Sequence, residues 1–325
     1  MMAGRQRKGS TMEILTYDEI DLLQALEISL LASDFPLTPE YAAHLRQTDP
    51  RPFPFLRLYA VEEEKAVAQL GVICQVLVSK DGRETAGGIR GVGYFPDHKG
   101  RGAALLLMEE AHARMRDAGI RFSVLVSDRS QLDHCLYRNH GYQDMKVWGS
   151  ALARWETAHQ PTRLRAGQMP SGGYDEVEAL FEFFALGRLG YAWRHSPYTP
   201  LHDRVSLEDI WILRGNEQPA GYALTRMARS ILHITDLVLA PGVSAAEAVA
   251  ALTACLTSSY IQATVYRPSD IDSLQSAGYR VIRSTRRAFM IKSLIPEIDA
   301  EVARRLFGIG TDQFLISWLD FESDW

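Results

Sequence analysis

The stretch "GYFPDHKGRGAALLLMEEAHARM", Gly93–Met115, decides the fold of the N-terminal half of the chain. Three basic residues stand among small residues at its centre: His98, Lys99 and Arg101. Four apolar residues then recur at helical spacing: Ala104, Leu107, Ala111 and Met115. This periodicity predicts a helix from about residue 102 to residue 118, with Gly119 as its C-terminal stop.

The loop before this helix is typical of an anion-binding site. Glycines allow backbone N–H groups to approach a ligand closely, and a helix N-terminus adds partial positive charge. Lys99 and Arg101 can add direct charge. The loop has neither the GxxxxGK[ST] of a P-loop nor the GxGxxG of a dinucleotide-binding fold. We therefore predict a phosphate or pyrophosphate site of a different type.

Length, composition and charge limit the classes of protein to which the chain can belong. The chain has 325 residues, the length of one large or two ordinary domains, and its net charge of −5 argues against a nucleic-acid partner. No stretch approaches the roughly 18 apolar residues of a membrane span, so we expect no membrane partner. The three cysteines are far apart without CxxC spacing, which favours a reducing, cytoplasmic location and predicts no metal site. The oligomeric state is left open.

Two similar series of elements follow one another along the chain. Residues 12–155 are predicted to run strand, helices, antiparallel strands, helix, strand, helix, strand, which is an α/β fold with a mixed sheet. The Pro- and Gly-rich segment 156–173 is interpreted as a linker and the start of a second domain over 165–325. "GYQDMKVWGSALARW" closes the first series and "RVIRSTRRAFMIK" the second, each read as strand.

A local signature supports duplication of this series. The segments "SQLDHCLYRNHGYQDMKV" and "SDIDSLQSAGYRVIRS" share a Ser, an Asp three residues later, a predicted helix and a Gly-Tyr pair. Together with the matching element order, this indicates two copies of one fold.

The basic loop resembles the acetyl-CoA loop of the GNAT acetyltransferases. The family pattern is Arg or Gln, any two residues, Gly, any residue, then Gly or Ala, between a strand and a helix. Here it reads Lys99, Gly100, Arg101, Gly102, Ala103 and Ala104, with Lys as a mild departure at the first position. The resemblance implies that this loop holds the pyrophosphate of acetyl-CoA. It also implies that the strand end at Val92, Gly93 and Tyr94 contacts the pantetheine arm and the thioester carbonyl.

A second family motif follows in order. The family pattern is Asn, six residues, Tyr, then Gly-Phe or Gly-Tyr at the start of a strand. Here Ser130 takes the Asn place, followed by Tyr137 and Gly141-Tyr142. The resemblance implies that Ser130 contributes to the cofactor site and that Tyr137 is the general acid that protonates the departing CoA thiolate. The alternative for Tyr137 is a core tyrosine on an amphipathic helix.

The second domain resembles a degenerate GNAT copy. It lacks the basic, glycine-rich loop, and Leu274 stands in the place of Tyr137. The plan is similar to the two-GNAT arrangement of the enhanced-intracellular-survival acetyltransferases and of mycothiol synthase. This implies a catalytic first domain and a non-catalytic second domain that shapes the acceptor cleft.

The implied reaction is direct transfer of acetyl from acetyl-CoA, as co-substrate and without metal, to a primary amine of a small molecule or peptide. Two alternatives stay open: an acyl-CoA-binding regulatory module without turnover, and an acyltransferase in thiol-cofactor biosynthesis. Cys135 is expected in the core rather than as a nucleophile. A general base is needed to accept the proton of the attacking amine. The candidates are Glu19, Asp21, Glu27, Asp34 and the terminal carboxylate at Trp325.

Overall fold

Periodic apolar residues and glycine stops produce the helices of the chain. The computed structural model describes residues 12–33, 36–49, 51–169, 173–193, 205–216 and 218–317. Its helices are α1 (Leu22–Ser33), α2 (Pro39–Thr48), α3 (Ala103–Asp117), α4 (Leu132–Asn139), α5 (Trp155–Ala158), α6 (Tyr174–Ala185), α7 (Ala245–Thr253), α8 (Pro268–Ser276) and α9 (Ala300–Leu306). Among the described residues, no helix is both long enough and apolar enough to span a membrane.

Two runs of strands, rich in β-branched residues, alternate with these helices. The first run is β1 (Glu13–Thr16), β2 (Pro52–Glu62), β3 (Lys65–Ser79), β4 (Gly82–Tyr94), β5 (Phe122–Asp128), β6 (Gln143–Val147) and β7 (Gly149–Arg154). The second run is β8 (Leu164–Gln168), β9 (Ile210–Gly215), β10 (Gln218–Ala228), β11 (Ile231–Leu239), β12 (Tyr260–Val265), β13 (Arg280–Ile282) and β14 (Arg287–Ser293). The segment interpreted as a linker therefore contains β8.

Within the described residues, the strands form two mixed sheets of seven strands each. Their orders are β1-β2-β3-β4-β5-β14-β6 and β13-β7-β12-β11-β10-β9-β8. The chain also divides into two compact units. The described residues of the first unit lie within 12–75 and 85–124, and those of the second lie within 76–84 and 125–317.

The first unit is built around two apolar layers. The side of β2 and β3 that faces α1 and α2 carries a buried cluster that includes Ile28, Leu45 and Tyr59. The helix α3 packs on β2, and its four predicted core residues are all buried. Glu110 pairs with Arg114 at 2.7 Å on its outer side, as i,i+4 spacing favours. The predicted helix and its stop are thus confirmed.

The closing strands of the two series are exchanged between the sheets. β14 lies beside β6 in the first sheet, with Ala288 opposite Val147, and β7 lies between β12 and β13 in the second. Our reading of "GYQDMKVWGSALARW" and "RVIRSTRRAFMIK" as single strands is wrong, because each run contains two strands that lie in different sheets. The chain changes sheet at Trp148, whose carbonyl accepts the Thr285 N–H at 2.9 Å and the Thr285 hydroxyl at 2.8 Å.

The repeated Gly-Tyr signature forms the same turn twice. In the first copy, the Tyr142 N–H donates to the Tyr137 carbonyl at 3.0 Å. In the second, the Tyr279 N–H donates to the Leu274 carbonyl at 3.0 Å. The glycine before each tyrosine has a left-handed φ, 91° at Gly141 and 88° at Gly278. Two segments with little sequence identity thus share one backbone conformation.

Candidate active site

The strand end that precedes the basic loop has an irregular backbone. The parallel register of β4 with β5 covers Ala86–Gly88, and β4 runs on from there to Tyr94. Inside this extension Gly91 has a φ of 54°, the conformation of the glycine in a G1-type bulge. Such a residue turns the backbone groups that follow it, here those of Val92 and Gly93, away from a regular ladder. We did not identify Gly91 from the sequence, although "GVG" was the available signal.

The loop itself turns on two glycines. A short 3-10 turn, Pro96–His98, is closed by the Lys99 N–H, which donates to the Pro96 carbonyl at 3.1 Å. Gly100 and Gly102 then adopt φ values of 76° and 88°, which side-chain-bearing residues rarely adopt. Among the described residues, no atom apart from the chain neighbours lies within 4 Å of the position where a side chain would begin at either glycine. The loop therefore presents its backbone to an open volume.

The first turn of α3 faces the same loop with its amides available. Gly102 is the N-cap residue and supplies no side-chain cap. The first helical backbone bond runs from the Leu106 N–H to the Gly102 carbonyl at 2.9 Å, so the N–H groups of Ala103 and Ala104 precede it. The structure thus brings the predicted residues Lys99 to Ala104 together as one continuous cradle, which we call the α3 cradle.

A carboxylate that the sequence did not indicate lies beside the α3 cradle. Glu62 lies 3.4 Å from His98 Nε2 and 3.6 Å from Arg101 Nη1. Lys99 is exposed. Glu62 comes from the end of β2, far from the loop in sequence, so no local pattern could reveal it. Its charge holds the Arg101 guanidinium near the loop and also competes with any anion that binds there.

The second motif lies in the second unit. Ser130 donates its hydroxyl to Asp128 Oδ1 at 2.6 Å and its N–H to the same oxygen at 2.8 Å. These two hydrogen bonds hold the pKa of Asp128 below its usual value. Tyr137 is half-buried on α4, and its ring meets the Tyr142 ring edge-on with centroids 6.1 Å apart. Tyr137 is therefore not a fully buried core tyrosine.

The other candidate groups have specific surroundings. Glu19 accepts the N–H and the hydroxyl of Thr16, each at 2.8 Å, and these hydrogen bonds lower its pKa, which makes it a weak base. Asp21 caps α1 by accepting the Gln24 N–H at 3.0 Å. Asp34 and Trp325 lie outside the described residues. Cys135 was expected in the core, but α4 presents it to solvent.

The second unit has a strand–loop–helix at the place that corresponds to the α3 cradle. There the N-cap Ser244 accepts the Glu247 N–H at 3.4 Å. Ser273, from α8, accepts the Ala246 N–H at 3.1 Å and lies 2.8 Å from the Ser244 hydroxyl. The first-turn amides of α7 are thus hydrogen-bonded by protein side chains instead of facing an open loop.

Residues 28–145 match the family model described as acetyltransferase (GNAT) domain. The chain contains a GNAT acyltransferase domain. The match includes the α3 cradle and the Tyr137 motif. This match indicates an acyltransferase enzyme. No curated protein shows significant sequence similarity to the chain.

Solved structures extend the GNAT likeness beyond this domain. A protein of unknown function from Enterococcus faecalis, described as a probable N-acyltransferase, is 13% identical with a TM-score of 0.68. A GCN5-related N-acetyltransferase from Anabaena variabilis is 17% identical with a TM-score of 0.66. Each alignment covers 88% of this chain and 73% of the other. At these identities the likeness establishes the fold.

A protein of the enhanced-intracellular-survival type is also among the similar solved structures. Eis1 from Mycobacterium abscessus is 17% identical with a TM-score of 0.60, over 87% of this chain and 74% of that one. Because the alignments cover most of this chain, they include both seven-stranded sheets. The fold is therefore a tandem of two GNAT sheets, as predicted.

Proposed function

We propose that the chain is an N-acetyltransferase that moves acetyl from acetyl-CoA to a primary amine of a small molecule or peptide. The observation that carries this proposal is the α3 cradle. It combines two left-handed glycines, first-turn amides and basic side chains within the matched GNAT domain. Backbone N–H groups at a helix N-terminus are well suited to pyrophosphate oxygens.

Each part of the first unit has a role in holding the cofactor. The N–H groups around Gly100 and Gly102 to Ala104 donate to the pyrophosphate, and Lys99 and Arg101 add charge-assisted hydrogen bonds. Beyond Gly91, backbone groups of Val92, Gly93 and Tyr94 orient the pantetheine arm and the thioester carbonyl. Fixing the thioester in this way lowers the entropic cost of attack.

The chemical step is direct attack by a neutral amine. The amine nitrogen forms a bond to the thioester carbon, and the resulting tetrahedral intermediate collapses by breaking the C–S bond. The departing thiolate takes a proton, which the resemblance assigns to the Tyr137 phenol as general acid. Ser130 is assigned to the cofactor site on the same basis. The amine proton leaves to a base that we do not assign.

A non-catalytic second domain and a cytoplasmic location complete the proposed function. The closed α7 N-terminus and Leu274, in the place of Tyr137, support a second domain without a cofactor site of its own. The net charge of −5 supports an acceptor other than nucleic acid. Free, exposed thiols at Cys135 and Cys255 support a reducing, cytoplasmic location.

The test is calorimetric binding of acetyl-CoA, followed in the same sample by release of CoA thiol. The acceptors are aminoglycosides, polyamines, amino acids and peptides. We expect binding, and thiol release with one of these amine classes. Binding without release by any amine would favour the regulatory module, and absence of binding would contradict the cofactor site itself.

A further inference from the structure

The second sheet has an apolar face under α7 and an opposite face that mixes polar and apolar side chains. On β11 and β12 the residues Leu232, Ile261 and Ala263 point into the core beneath α7. Because side chains alternate along a strand, the residues between them point to the other side. Those residues line a cavity of about 710 Å³, which we call the second-sheet cavity. The described residues that line it all belong to the second unit.

The floor of the second-sheet cavity carries hydrogen-bonding groups beside the apolar side chains of Leu152, Leu224 and Ile282. Its hydroxyl and amide side chains are Ser150, Thr225, Thr235, Gln262 and Thr264. Some of them are fixed by the protein, since Gln262 Nε2 donates to the Ser150 hydroxyl at 3.1 Å and the Thr225 hydroxyl donates to the Asp209 carbonyl at 3.2 Å. A sheet face that packs against a helix is normally apolar, so this polar surface is suited to a polar ligand.

The mouth of the second-sheet cavity is positively charged. Arg226, Arg286 and Arg287 are among its described lining residues, together with the carboxylate of Asp209. Arg286 is positioned by Asp128, whose carboxylate lies 3.6 Å from Arg286 Nε, and its side chain is still 76% exposed. This cationic excess contrasts with the net charge of −5 of the whole chain. A local potential of this sign attracts anions.

We propose that the second-sheet cavity binds a small organic molecule that carries a carboxylate or phosphate group. The guanidinium groups at the mouth hold the anion through charge-assisted hydrogen bonds, which are the stronger class. The hydroxyl and amide groups of the floor hydrogen-bond the rest of the molecule. The volume suits a small ligand, since such sites measure roughly 300–1,000 Å³. The proposal rests neither on the α3 cradle nor on acyl transfer.

The test is calorimetry on the full chain without acetyl-CoA. The anionic probes are malate and phosphoglycolate, the neutral match is malamide, and the bare anion is inorganic phosphate. We expect both organic anions to bind, more weakly as salt is added. Arg226→Met and Arg287→Met should each weaken this binding roughly tenfold, because each removes a hydrogen bond to a charged group. Thr264→Val, which keeps the shape of the floor, should weaken it by about threefold.

The matched control is Arg280→Met, which removes an exposed arginine on β13 that does not line the cavity. Its binding should equal that of the wild type. The proposal is overturned if neither organic anion binds, if malamide or inorganic phosphate binds equally well, or if Arg226→Met and Arg287→Met behave like the control. Retention of acetyl-CoA binding by these variants shows that they are folded.

Discussion

The N-termini of α3 and α7 occupy corresponding places in two copies of one fold, and their chemistry differs. At α3 a glycine N-cap supplies no side chain and the loop before it is basic and open. At α7 the hydroxyls of Ser244 and Ser273 already accept first-turn N–H groups. Since a helix N-terminus attracts an anion only while its amides are available, the side chains decide which copy can bind a cofactor.

The same contrast is repeated one helix later. Tyr137 and Leu274 precede the same Gly-Tyr turn with the same backbone hydrogen bond. The first residue carries a hydroxyl and is half-buried, whereas Leu274 is fully buried in the core of the second sheet. A duplicated fold can therefore keep its backbone architecture while a hydroxyl-bearing side chain in one copy is replaced by a buried apolar side chain in the other.

The largest expected effect is on the chemical step. Tyr137→Phe should lower kcat by at least about a hundredfold, the usual contribution of a general acid. Acetyl-CoA affinity should stay near that of the wild type. Steady-state thiol release and calorimetry measure the two quantities. Tyr142→Phe is the control for ring packing and should keep most of the activity, so equal losses in both variants would remove Tyr137 from the mechanism.

The next effect is on cofactor binding. Gly102→Val places a β-branched residue at a φ of 88° in the open loop, and should weaken acetyl-CoA binding roughly thirtyfold through strain and loss of amide contacts. Gly119→Val is the matched control, because Gly119 has a φ of 76° at the other end of α3. It should lose stability but bind acetyl-CoA normally. If both glycine variants bind acetyl-CoA equally well, the α3 cradle is not the cofactor site.

A smaller effect is expected from charge. Lys99→Met should weaken acetyl-CoA binding by about threefold to tenfold, because an exposed cation adds a modest charge-assisted contact. The loss should shrink as salt is added. Arg116→Met, an exposed basic residue in the last turn of α3, serves as control and should leave the affinity unchanged. A salt-independent loss in Lys99→Met would indicate a structural effect instead of a charge effect.

The smallest expected effect is a loss of stability, without a loss of acetyl-CoA affinity, when the cap of α7 in the second copy is removed. Ser244→Ala should lower the free energy of unfolding by about 1 kcal/mol through loss of the α7 cap. Ser276→Ala, an exposed position at the end of α8, should change it little. Denaturant unfolding measures both variants. Acetyl-CoA affinity should be unchanged in each, and a loss of affinity in Ser244→Ala would mean that α7 takes part in the cofactor site.

The sequence predicted those features that depend on neighbours along the chain. The helix α3 and the glycine loop were foreseen, and so was the likeness of the two Gly-Tyr segments, because periodicity and glycine positions act locally. The exchange of β7 and β14 was not foreseen, because strand pairing depends on distant contacts that no local pattern records. Glu62 beside the cradle and Ser273 at α7 were missed for the same reason. Gly91 was the exception, since its signal, the "GVG" of residues 91–93, is local.

The most direct test of the comparison between the two copies is the stoichiometry of acetyl-CoA binding by calorimetry. We expect one acetyl-CoA per chain, with affinity that is strongly reduced by Gly102→Val and retained by Ser244→Ala. Two cofactors per chain would contradict the closed state of the α7 N-terminus. Binding that survives Gly102→Val, or no binding by the wild type, would contradict the α3 cradle as the acetyl-CoA site.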